Sequence, residues 1–205
     1  MLSIIGPSYH KNVMDKIDKE GFYRPTTAQV LSSVDLALQY LNDNNKYYKY
    51  YCSDILDRFK EDYLWTATES LSFPKGVLVY DNIDGEMPET SKGLLKLLNA
   101  KDERVRLVQP GFKTGYMPIS EFLKNPYVIA QIGKDKIKIA ESVAKSIYKK
   151  YAYVKGFDKA HSDTKRFTSI SFRSYGPDPN DGGMCLNGDF SDSVNGGYAS
   201  GSRRK

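Results

Sequence analysis

The sequence predicts a single α+β domain, on three observations. Two amphipathic helical stripes occupy the first quarter, runs rich in aromatic and β-branched residues fall at 64–73, 76–80, 104–108 and 166–175, and one strong helical stripe stands near 135–150. The expected architecture has N-terminal helices, a mainly antiparallel sheet and the 135–150 helix buried on it. Residues 1–175 form the domain, and 176–205 a Gly-rich segment that is either a tail or a short β-meander with a frayed basic end.

After the short apolar segment Leu2 to Ile5, a weak helical stretch runs from about Asn12 to Glu20, where Gly21 stops it. Thr26 with Gln29 three residues on is a capping box, followed by a stripe of Val30, Val34, Ala37, Leu38 and Leu41. Asn42 to Asn45 breaks the pattern. It resumes at Tyr48, Tyr51, Cys52, Ile55, Leu56 and Phe59, which turns Cys52 toward the core.

Pro74-Lys75-Gly76 reads as the tight turn between two strands, with Trp65 packed among them. An acidic loop with Asp81, Asp84, Glu86 and Glu89 precedes a short helix near Ser91 to Leu98 that carries an interior Gly93. Arg104 to Val108 alternates as a half-exposed strand with both arginines on one face. A short helix follows around Ile119 to Lys124, and Asn125-Pro126 restarts helix with Asn as cap. Ile137, Ala140, Ala144, Ile147 and Tyr151 then recur at helical spacing. Tyr151 to Val154 and Arg166 to Tyr175 read as strands, the latter with Thr168, Ile170 and Phe172 on one face.

Composition bounds the function. No run of 18 apolar residues is present, and the N-terminus lacks the basic start and apolar stretch of a signal peptide, which points to a soluble, cytoplasmic protein. Cys52 and Cys185, the only cysteines, read as thiols. His10 and His161 have no His or Cys partner at metal-ligand spacing, which disfavours a zinc site, and no metal ligand set is assigned. The tail acids Asp178, Asp181, Asp189 and Asp192 lack the spacing of a calcium loop, and Ser200 stands one position late for a nucleophile elbow.

Charge is uneven. Residues 1–100 hold 11 Lys and Arg against 14 Asp and Glu, whereas 101–205 hold 19 against 11. Between residues 145 and 173, Lys145, Lys149, Lys150, Lys155, Lys159, Lys165, Arg166 and Arg173 interleave with aromatics that include Tyr151, Tyr153 and Phe167, against Asp158 and Asp163 alone. Cations track a phosphate backbone and aromatic faces stack bases, so this composition suits nucleic acid or another polyanion. The expected binding set is Lys145, Lys149, Lys150, Tyr153, Lys155, Lys165, Arg166 and Arg173. RNP, KH, zinc-finger and helix-turn-helix signatures are absent.

Two enzymatic alternatives stand beside a non-enzymatic binder. Gly111-Phe112-Lys113-Thr114-Gly115, between a strand and a helix, suits a phosphate loop built on Gly111, Lys113, Thr114 and Gly115, although its order departs from Gly-x4-Gly-Lys-Ser/Thr. A Mg2+-dependent nuclease would draw on Asp81, Asp163 and Lys165 with His161 as base, and only this alternative calls for a cofactor. A third class is an interaction or structural protein without a catalytic site. The sequence leaves catalysis, oligomeric state and ligand identity open.

Overall fold

A computed structural model describes residues 2–41, 46–146, 151–154, 163–171, 184–189 and 197–203 of the chain. Within them, seven α-helices and ten strands form one mixed, mostly antiparallel sheet with helices on both faces. No helix of the described residues is long and apolar enough to cross a membrane.

The helical expectations with local signals hold closely. Strand β1 (Leu2–Ser8) leads into α1 (His10–Lys19), whose Val13, Met14 and Ile17 are buried. The two-residue β2 (Phe22–Tyr23) follows, and then α2 (Thr27–Tyr40). Both hydrogen bonds of the capping box form: Gln29 N donates to Thr26 Oγ1 at 3.3 Å, and Thr26 N to Gln29 Oε1 at 2.8 Å. In α3 (Lys46–Glu61), Cys52, Ile55, Leu56 and Phe59 are buried against α2.

Strand β3 (Tyr63–Phe73) is the backbone of the sheet and is covered on both sides along nearly its whole length. One edge pairs with β8 (Thr164–Ser171). The other pairs with β10 (Gly197–Arg203) near Tyr63 and with β4 (Gly76–Asp81) from Thr68 to Phe73. Gly76 is required at the β4 start, because at φ 141° a Cβ there would run into the Val108 carbonyl of β5 (Val105–Val108). The sheet continues from β8 through β9 (Met184–Asp189) and β7 (Tyr151–Val154) to β6 (Gly115–Pro118). Among the described residues only the β10–β3 and β7–β9 pairs are parallel.

Residues 176–205 therefore supply two strands at separate places: β9 lies between β8 and β7, and β10 between β1 and β3. The pairing of β9 with β8 is antiparallel, as a meander would have it, but β10 crosses the molecule instead of following β9.

The helix restart expected at Asn125-Pro126 and the buried helix expected near 135–150 form as two separate helices. Asn125 accepts from Tyr127 N at 2.9 Å to cap α6 (Pro126–Ile132), Gly133 at φ 82° stops it, one 3-10 turn follows, and α7 (Ile137–Ser146) resumes. Ala140, Val143 and Ala144 of α7 are buried and Ile137 is half-buried, while Ile147 lies outside the described residues. The strand at 151–154 places Tyr151 on an exposed sheet face, not on the helical stripe.

Helices α2, α3, α6 and α7 cover one face of the sheet over Leu64, Val79, Ile170 and Leu186. On the other, α1 packs on Trp65 and Ala199, and α4 (Ser91–Asn99) on Leu71, Leu78 and Tyr80. The short α5 (Ile119–Phe122) adds Phe122 to the first core.

Candidate functional site

Strand β8 separates the two cations at its start. Lys165 and Arg166 are neighbours in an extended strand, so their side chains leave opposite faces of the sheet. The register confirms it, with Lys165 opposite Leu71 and Arg166 opposite Ser70. Arg166 is 1% exposed beneath α6, which removes it from any outer basic surface. Lys165 is held at 3.1 Å from Glu69 Oε2 and 3.0 Å from Glu89 Oε1. Lys145, on α7, is exposed and paired with Glu141 at 2.7 Å. The expected single surface thus loses Lys165 and Arg166, and Lys149, Lys150, Lys155 and Arg173 fall outside the described residues.

One Lys165 partner, Glu69, is a buried carboxylate that the sequence reading missed, while the other, Glu89, is exposed. Glu69, 2% exposed, accepts from Tyr80 Oη at 2.8 Å and from Asn82 Nδ2 at 3.2 Å besides facing Lys165. Burial and the neighbouring Glu69 push the Tyr80 phenol far up. Burial works to lower Lys165, but Glu69 and Glu89 outweigh it and raise the ammonium. The adjacent His10 is also buried: its Nε2 donates to the Thr66 carbonyl at 3.0 Å, and its ring stacks on Phe167 at 4.4 Å. Glu69 thus meets three donors, Tyr80, Asn82 and Lys165, as a buried carboxylate requires.

The nuclease constellation does not assemble. Asp81 pairs with Thr68 across β3 and β4, accepts from Thr68 Oγ1 at 2.7 Å and binds Arg106 at 2.7 Å. That is the face opposite Lys165, since Asp81 stands beside Thr68 and Lys165 beside Leu71. Asp163 instead accepts from Ser91 N at 2.7 Å, and His161 lies outside the described residues. Among the described residues no group of three His, Cys, Asp or Glu is placed to hold a metal ion. Both cysteines are buried thiols.

The 111–115 loop leads into β6, not directly into a helix. Gly111 and Gly115 adopt φ 95° and 84°, and a Cβ at either would meet nothing within 4 Å. Both φ values lie in the left-handed region, which glycine adopts without strain. Thr114 is exposed, and the Lys113 ammonium is ion-paired with Glu121. The loop does border a cavity of about 910 Å³ that extends to α6 and Lys134.

Among the described residues, β6 and β7 present an exposed aromatic cluster at the end of the sheet. Their register sets Tyr116 opposite Tyr153 and Pro118 opposite Tyr151, so all three tyrosines share a face, with Met117, Ala152 and Val154 buried on the other. Tyr116 is 44% and Tyr151 48% exposed, and the Tyr116 and Tyr153 rings stand 4.9 Å apart. Sequence reasoning named Tyr153 but missed Tyr116, because a four-residue strand bounded by Gly115 and Pro118 leaves too little alternation to read. No family model, no curated protein and no solved structure matches this chain.

Proposed function

We propose that this protein is a non-enzymatic binder of single-stranded nucleic acid, with Tyr116, Tyr151 and Tyr153 stacking bases at the β6–β7 end of the sheet. The observation that carries the reading is the shared face of these tyrosines, two of them well exposed. Phenol rings on a strand pair offer flat surfaces that accept any base, because every base has a π-face. The phosphates need cations at the ends of such a surface. In the sequence Lys149 and Lys150 directly precede Tyr151, and Lys155 directly follows Val154. A duplex hides its base faces, so the preference is for single strands.

The test is fluorescence anisotropy with a labelled oligouridine of about 12 nucleotides. The Tyr116→Ala, Tyr151→Ala double variant should bind more weakly by about 1–3 kcal/mol for each base that loses its stack. Both side chains are exposed, so the fold should survive, as circular dichroism would verify. Equal affinity of the double variant and the parent would remove the stacking surface.

A further inference from the structure

The cavity beside the 109–114 loop lies on the other face of β6 from the tyrosines, because it is lined by Met117 and not by Tyr116. Its size, about 910 Å³, falls in the range of small-molecule sites. Val108, Met117 and Ala130 are buried at its lining, and Phe112 and Ile129 add half-buried apolar surface. The Phe112 ring is stacked on Tyr127 with centroids 5.1 Å apart and planes 10° from parallel. Asn125 ties the loop to α6, donating from Nδ2 to the Lys113 carbonyl at 2.7 Å while its Oδ1 caps the helix. The walls are therefore set before any ligand arrives, which lowers the ordering cost of binding.

Charge at this lining is lopsided. Arg106, Lys113, Lys124 and Lys134 face a single carboxylate, Glu121. Lys113 is answered by Glu121 and Arg106 by Asp81. Lys124 and Lys134 are exposed and have no ion pair among the described residues. An apolar interior with two unanswered ammonium groups favours a ligand that has both an apolar body and a negative head: a bare inorganic anion gains nothing from the walls, and a neutral hydrophobe nothing from the lysines.

We propose that this cavity binds an organic anion with a flat, apolar body of nucleoside size, its phosphate, sulfonate or carboxylate head held by Lys124 and Lys134. The site is separate from the single-strand surface and stands whether or not that surface binds nucleic acid. Titration calorimetry and fluorescence with four probes test it: AMP, adenosine, inorganic phosphate and 1-anilinonaphthalene-8-sulfonate. One or both organic anions should bind, and adenosine and phosphate should each bind roughly tenfold more weakly or worse. Binding of AMP assigns the head to a phosphate ester, and binding of the sulfonate alone assigns it to an aromatic sulfonate or carboxylate. The Lys124→Gln, Lys134→Gln variant, altered only at exposed positions, should lose roughly tenfold for whichever anion binds. The proposal is overturned if neither organic anion binds at millimolar concentration, or if the double variant binds as tightly as the parent.

Discussion

Glu69 shows how a polar residue can be legible in composition and illegible in role. Its carboxylate, on β3, is buried with Tyr80 and Asn82 from β4 and its end and Lys165 from β8 as partners, so no sequence window contains the site. Glu69→Gln keeps the shape and removes the charge. Lys165 then retains only the exposed Glu89, and the expected loss is about 1.5–3 kcal/mol in urea denaturation. A loss below half a kcal/mol would mean the pair is solvated. Tyr127 supplies the pH counterpart. Fully buried, its phenol is pushed up to about 12 by burial, although hydrogen bonds with Ser70 and Gln131 oppose the shift. In the unfolded chain the same group deprotonates near pH 10, so between about pH 10 and 12 the folded state holds the extra proton. Stability is full below pH 10 and falls as pH rises through that window. Tyr127→Phe should reduce the alkaline slope while costing about 1–3 kcal/mol at neutral pH, because Ser70 Oγ and Gln131 Nε2 lose a partner.

At the scale of elements, what could be read was local. The Thr26–Gln29 box, the α2 stripe and the Asn125-Pro126 start each fit within a few residues, and each forms in the structure. The Lys165-Arg166 pair was legible too, since strand alternation alone forbids neighbours from sharing a face. Its assignment to one surface came from counting charge without applying that period. Gly93 illustrates the opposite case. Its place inside α4 weakens the helix on propensity, yet a Cβ there would lie 2.5 Å from Pro88 Cβ, a contact no local rule reveals. Gly93→Ala, which stabilises an ordinary helix interior by about 1 kcal/mol, should here lower the melting temperature. A raised melting temperature would show that α4 and the Pro88 loop adjust without cost.

Across the whole molecule, sequence pattern indicated strands and helices but not their neighbours. The α+β class follows from elements that each carry their own signal, whereas β10 beside β1 and β3 joins residues nearly 200 positions apart and leaves no trace in any window. The cavity is likewise the meeting of a loop, α6 and the turn after it, and the tyrosine face the meeting of two short strands. The expected basic surface contracts for the same reason: sequence clustering becomes spatial clustering only if the fold keeps the cations on one side, and β8 does not. The proposed interface is the tyrosine face of β6 and β7, with Lys149, Lys150 and Lys155 next to β7 in the sequence. The measurement that tests this most directly is the affinity for a labelled single-stranded oligonucleotide from about 50 to 200 mM salt. If Lys149, Lys150 and Lys155 each meet a phosphate, the logarithm of the association constant should fall against the logarithm of salt with a slope of about −2, from roughly −0.7 per phosphate neutralised. Affinity that does not change with salt, or no binding at the low end of that range, would contradict the account.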